Sequence, residues 1–207
     1  VVINLDTSKL SSAIAANASA KEKVGFILNK KGYVEATSNA AELWVEMSAF
    51  DDLKKANTKS YQQIMYEILG LDLPVEPPLI HISDIEKAKV TTKEFIKNID
   101  STKPVIGLNV GVGTKWQSKG WPISRWNELI KKLDSDKYNV LLLGGPEEVE
   151  IIRQLKHDFN YVIVTGCDNS LIEFAAIVDL CDLVITADTL ALHIATALRK
   201  KIVALFG

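Results

Sequence analysis

The second half of the chain predicts a doubly wound α/β domain, and three observations carry the prediction. Apolar runs recur at 105–110 (VIGLNV), 139–144 (NVLLLG), 161–165 (YVIVT), 182–187 (DLVITA) and 202–206 (IVALF). Helical patterns separate them at 123–133, 147–157, 171–180 and 189–199. The runs are apolar on both faces, as strands of a parallel sheet covered on each side by helices must be. Right-handed crossovers and the usual strand order then put the first and fourth strands of this domain side by side, at the switch point of the sheet.

The first half is less regular. VVINL (1–5) reads as a buried strand, followed by a helix through SKLSSAIAANA (8–18) and a short strand at VGFI (24–27). Residues 29–59 read as polar and irregular, with a weak helical stretch at 40–55 (AAELWVEMSAFDDLKK). A helix over 60–69 would bury Ile64, Ile68 and Leu69 on one face. LDLPVEPPLIHI (71–82) then places three prolines in a short span, which reads as an extended connector. The expected division is a partial N-terminal domain with its linker over 1–102, and a C-terminal domain over 103–207. The first strand starts at Val1 and the last run, IVALFG, stops within a strand, so a piece of a longer chain is expected at both ends.

Composition narrows the function. Of the 207 residues, 47% are hydrophobic and 24% charged, and the formal net charge is -2, as in a soluble globular protein. That balance supplies no long-range field for nucleic acid and no basic run for an anionic membrane surface. No apolar run approaches the roughly 20 residues of a membrane span, and no signal peptide is expected. Cys167 and Cys181 are the only cysteines and form no C-x-x-C pair, so neither a metal site nor a disulfide framework is expected. The expected location is the cytoplasm.

Ligands of open α/β sheets sit beyond the carboxyl ends of the strands at the switch point. The two loops there are GVGTKWQSKGW (111–121) and ADT (187–189), and they are the most chemically loaded stretches of the domain. The first carries Gly111, Gly113, Thr114, Lys115, Ser118, Lys119 and Gly120. It matches neither G-x-x-x-x-G-K-[ST] nor G-x-G-x-x-G, which disfavours a P-loop NTPase and a dinucleotide-binding domain. Its lysines read either as solvated or as charges that neutralise a diphosphate. Asp188 or Thr189 reads either as a helix N-cap or as the start of a phosphate-binding turn, with His193 one turn further on. Glu147, after Gly144-Gly145-Pro146, reads as a helix-start acid that also stands at the carboxyl edge of the sheet.

GLNVGVGTKWQSKGWPISRWNELI (107–130), LLLGGPEE (141–148) and DLVITADTLALHIATAL with IVALFG (182–207) resemble, in order and spacing, the glycosyltransferase family 9 heptosyltransferases. The resemblance covers most of 103–207 and, more weakly, the first 26 residues. It implies a GT-B fold of two Rossmann-like domains, with an ADP-sugar, typically ADP-L-glycero-D-manno-heptose, held by the C-terminal one. It implies transfer to a lipopolysaccharide-core acceptor at the inner membrane face, with inversion and with neither metal nor cofactor. By motif position, Thr114 and Lys119 are implied donor-phosphate contacts and Glu147 an acidic nucleoside contact; Lys115 is a further donor-binding candidate in the same loop. Asp188, Thr189 and His193 match the family's D-T-G-x-x-H element, which grips diphosphate and heptose; Leu190 stands where the family has glycine. The family's proposed base is an aspartate in a glycine-rich loop that nothing in this chain matches, so the catalytic residue stays unassigned; Asp6 is the one acceptor-side candidate. A non-catalytic nucleotide-sugar-binding module and another GT-B enzyme, such as a sugar-nucleotide epimerase, are the alternatives.

Overall fold

The computed structural model describes residues 1–113 and 117–206. The chain divides into two compact units, Val1–Glu76 and Pro77–Gly207. The division falls inside the proline-rich connector, which has neither helix nor strand. The second unit therefore starts well before residue 103.

In the first unit, β1 (Val2–Asn4) lies parallel to β2 (Lys23–Leu28), and β2 lies antiparallel to β3 (Val34–Ala36). The helix α1 (Lys9–Asn17) connects the parallel pair and is capped by Ser8, whose side chain accepts from the Ser11 amide. Residues 29–59, read as irregular, contain β3 and two helices, α2 (Asn39–Ala49) and α3 (Asp51–Ala56). A three-residue strand gives too short a run to show alternation. Its turn is held locally, the Asn29 carboxamide oxygen accepting from the amides of Lys31 and Tyr33. The helical stretch breaks at Phe50, whose backbone is extended. The next helix, α4 (Tyr61–Ile68), buries Ile64, Met65 and Ile68; Leu69, expected on that face, caps the helix half-buried instead. These residues close a small core around Phe26, Ala41 and Met47.

The second unit opens with α5 (Asp84–Thr91), which the sequence pattern did not suggest. Ser83 and Glu86 form a reciprocal capping box at its start. Ile82, Val90 and Phe95 then join the main core, which is why this segment belongs with the sheet. The strands are β4 (Val105–Asn109), β5 (Asn139–Leu143), β6 (Ile163–Val164), β7 (Leu183–Ala187) and β8 (Lys201–Leu205). All pairings among them are parallel, in the order β6-β5-β4-β7-β8. The first and fourth strands of the unit are thus neighbours, and the winding reverses as the chain passes from β6 to β7.

Strand periodicity sorts the core into two layers. Leu141 and Leu143 of β5 join α8 (Leu171–Asp179) and α9 (Leu190–Ala197) on one face. Val140 and Leu142, with Ile106 and Leu108 of β4, meet α6 (Ile123–Lys132) and α7 (Val149–Asp158) on the other. α6 docks through Trp126 and Ile130, four residues apart and both essentially fully buried. α7 docks through Ile152 and Leu155. Every β–α loop therefore opens at one end of this sheet.

Candidate functional site

Three elements converge at the carboxyl end of β4, the central strand: the loop that follows it, the loop after β5, and the start of α9 after β7. They enclose a cleft of about 590 Å³, within the range of small-ligand sites. Asn109, Gly111, Gly144, Glu147, Thr189 and Leu190 are among its lining residues. Leu171 and Phe174 of α8, with Val112, Leu190 and Ala191, give the cleft an apolar wall.

Lys119 ties the first loop to the third. Its Nζ donates to Asp188 Oδ2 at 2.6 Å. That bond first, and the lysine charge second, hold the Asp188 carboxyl below its usual range; the nearby His193 lowers it slightly further. Lys119 itself borders a smaller recess of about 280 Å³ formed with Trp121, Leu205 and Phe206. The two switch-point loops thus meet, and their contact is an ion pair with both side chains partly exposed.

Thr189 is the N-cap residue of α9, but its side chain makes no capping bond. Its hydroxyl turns inward, accepting from Asn109 Nδ2 at 3.2 Å and pairing with Thr186 Oγ1 at 3.0 Å. Leu190 is exposed on the cleft side of the helix start. His193 stands exposed one turn later and does not line the cleft. Packing on α9 is done by Ala191, Ile194 and Ala195, so His193 is not a core histidine.

Glu147 is exposed and lines the cleft. Its neighbour Glu148 does something the sequence reading missed. The Glu148 carboxylate accepts from the Gly145 amide at 2.8 Å and from the Gly113 amide at 3.3 Å, clasping the loop after β5 to the loop after β4. Gly111 is required by this clasp, because a Cβ there would lie 2.0 Å from Glu148 Cγ. Gly113 is required by its backbone, at φ +67°. Asn109 was also missed. A buried polar residue ending an apolar strand, two positions before a glycine loop, is the signal that would have found it. Thr114 and Lys115 lie outside the described residues.

Asp6 belongs to the first unit, where its carboxylate accepts from the Ser8 hydroxyl at 2.7 Å and the Ser8 amide at 3.0 Å. These bonds, the hydroxyl's first, hold its pKa below the ordinary carboxylate value. It is consequently a weaker base than a free aspartate. Among the described residues no cluster of His, Cys, Asp and Glu is arranged to hold a metal ion, and no helix is long and apolar enough to cross a membrane.

Fold and cleft together define an open-sheet α/β protein with a cleft at the switch point. The family model for glycosyltransferase family 9 (heptosyltransferase) matches residues 1–207, and the chain belongs to that family. Lipopolysaccharide heptosyltransferase 2 of Escherichia coli K12 is 28% identical over 149 residues, which is 70% of this chain and 42% of that protein. Lipooligosaccharide heptosyltransferase 2 of Haemophilus influenzae is 25% identical over 171 residues, covering 74% and 49% respectively. The chain thus spans less than half the length of these curated relatives. Among solved structures, a glycosyl transferase family 9 protein from Veillonella parvula superposes with a TM-score of 0.64 at 23% identity, covering 73% of this chain and 45% of that one. The E. coli ADP-heptose lps heptosyltransferase II superposes with a TM-score of 0.57 at 24% identity, covering 68% and 43%. These likenesses establish the fold: α/β of GT-B type, with a doubly wound C-terminal sheet and part of an N-terminal Rossmann-like domain.

Proposed function

We propose that the protein takes part in inverting glycosyl transfer from a nucleotide sugar, ADP-heptose, to a lipopolysaccharide-core acceptor. The observation that carries the reading is the Lys119–Asp188 contact beside an uncapped start of α9, at the edge of a switch-point cleft in a family 9 chain. In this reading the adenosine half of the donor lies in the cleft, with Glu147 toward the nucleoside and the apolar wall against the base. Lys119 and the amides at the start of α9 face the diphosphate, to which the family motif also assigns Thr114, with Lys115 a donor-binding candidate, and Asp188 and His193 face the sugar. Leu190 sets how closely the phosphate approaches the backbone.

A base removes the acceptor hydroxyl proton, and that oxygen attacks the anomeric carbon from the face opposite the diphosphate. The bond to the diphosphate breaks with its electron pair, and Lys119 and the helix-start amides stabilise the departing ADP. No metal or cofactor takes part in this scheme. The acceptor places the protein in the cytoplasm, peripheral to the inner membrane.

The hydrogen-bonded state of Asp6 favours a second reading for these 207 residues alone: donor binding without transfer. Titration with ADP-heptose, ADP and UDP-glucose, followed by a transfer assay with a lipopolysaccharide-core acceptor, tests both. Binding selective for the ADP ligands supports the donor site; equal or absent binding of all three sinks it. Turnover by the 207 residues alone overturns the second reading and makes Asp6 the first base to substitute.

A further inference from the structure

Asn109 ends β4 with its side chain buried at the junction of the two switch-point loops. Its two Nδ2 protons serve three acceptors: the Gly111 carbonyl at 3.0 Å takes one, and the hydroxyls of Thr186 and Thr189, each at 3.2 Å, share the other. A carbonyl only accepts, so the Gly111 bond fixes which end of the carboxamide is nitrogen. Thr186 Oγ1 in turn donates to the Ala187 carbonyl at 3.0 Å, which spends its only proton. In the Thr186–Thr189 pair the donor must therefore be Thr189. The Thr189 hydroxyl gives its proton to Thr186 and shares the second Asn109 Nδ2 proton with it.

This chain of bonds has a consequence for α9. A threonine at an N-cap ordinarily turns its oxygen to the first-turn amides and satisfies one of them. Thr189 occupies that position and makes no such bond. Its oxygen is held on the β4–β7 side, while Thr189, Leu190 and Ala191 remain on the wall of the cleft. The same carboxamide grips the Gly111 carbonyl, so a single side chain fixes the spacing between the loop after β4 and the start of α9.

We propose that Asn109 is a positioning residue for the donor site. It draws Thr189 away from capping α9, and so keeps the Leu190 and Ala191 amides available, the Leu192 amide already donating to the Thr189 carbonyl at 3.1 Å, while locking them in register with the 111–113 loop. The inference rests on the reading of the cleft as an ADP-sugar site. It requires Asn109 and Thr189 to act as one device, with Thr186 as the anchor.

The test is a double-mutant cycle in the protein, read by calorimetric titration with ADP and by thermal melting. Asn109→Ala should weaken ADP binding about tenfold, the scale of one hydrogen bond to an anion lost when the released Thr189 caps α9, and the near-isosteric Thr189→Val, which loses the register but cannot cap, should weaken it less. The double variant should bind no more weakly than the worse single one, and Thr189→Ser, which keeps the hydroxyl, should bind as the unaltered protein does. If Asn109→Ala does not fold, Thr186→Val takes its place in the cycle with the same expectation, since it removes the acceptor of the Thr189 proton. Lower melting temperatures with unchanged ADP affinity would make Asn109 purely structural and overturn the proposal, as would additive losses in the double variant. If the unaltered protein binds no ADP, the donor reading falls and the proposal with it. If ADP binds but Asn109→Ala leaves the affinity intact, only the proposal falls.

Discussion

Lys119 and Asp188, 69 residues apart in sequence, meet at the carboxyl edge of the sheet with Nζ 2.6 Å from Oδ2. The contact joins the loop after β4 to the loop after β7. Because both side chains are more than a third exposed, water and salt screen the pair, and it is a small contributor to folding. Its value lies in placing a cation beside the start of α9.

Lys119→Ala should therefore separate binding from stability. Affinity for an ADP-sugar should fall tenfold or more, as for a lost charge-assisted contact to phosphate. The melting temperature should barely move. A large drop in melting temperature with unchanged affinity would make Lys119 a structural tie between loops. Asp188→Asn complements the test, because it leaves the cation in place and removes only the carboxylate that orients it.

The sheet was legible because its strands are buried on both faces, so that VIGLNV, NVLLLG and DLVITA stand out as unbroken apolar runs. The switch point followed from topology alone, and with it the two loops that meet. Local hydrogen bonding was not legible. Thr189 has the residue type and position of an N-cap, yet its hydroxyl is claimed by Asn109 and Thr186, partners that only the sheet register brings near. Glu147 and Glu148 look equivalent in GGPEE, and which one turns back to the Gly145 amide is decided by the single 3-10 turn at Pro146–Glu148. In the first unit, β3 is too short for alternation to register and was missed for that reason.

Gly111→Ala tests the Glu148 clasp. The new methyl would occupy the space of the Glu148 side chain, with Cγ, Cδ and Oε1 all within 2.0–2.2 Å of it. Glu148 would have to leave, breaking its bonds to the amides of Gly113 and Gly145. The expected loss is about 1–3 kcal/mol of unfolding free energy, read by denaturant titration, since the amides lose a charged acceptor. In a Glu148→Ala background the same substitution should cost far less, because the clash and the clasp are gone together. Equal costs in both backgrounds would show that Gly111 is needed for some other reason.

Acid stability should carry the mark of Glu173. The Ser170 amide first, the Ser170 hydroxyl next and Lys93 after them lower its pKa from 4.5 to about 2. A carboxyl with a depressed native pKa contributes stability that is fully present above its ordinary value and is lost as pH falls through the native one. The difference in stability between the protein and Glu173→Gln should therefore be constant above about pH 5 and shrink between 4.5 and 2. A difference that stays constant down to pH 2 would mean that the capping box at α8 works equally well with a neutral acceptor.

His193 gives the sharpest test of the motif at the start of α9. The helix packs through Ala191, Ile194 and Ala195, and the imidazole between them is exposed. Replacing an exposed side chain that makes no packing contact ordinarily changes stability by less than about 0.5 kcal/mol, so His193→Gln should melt as the unaltered protein does. The imidazole also stands near enough to Asp188 to help hold that carboxyl below its usual range, after the Lys119 bond and charge. If that corner grips the donor, the substitution should weaken ADP-sugar binding several-fold, with a smaller effect on ADP alone, because the sugar is what distinguishes the two ligands. Calorimetric titration with both ligands, beside thermal melts, reads the two effects separately. Equal losses for ADP and ADP-sugar would move His193 from the sugar to the diphosphate. A collapse of the melting temperature with affinity intact would show that the exposed face of α9 is structural after all, and that the Asp-Thr-x-x-x-His spacing carries no ligand in this chain.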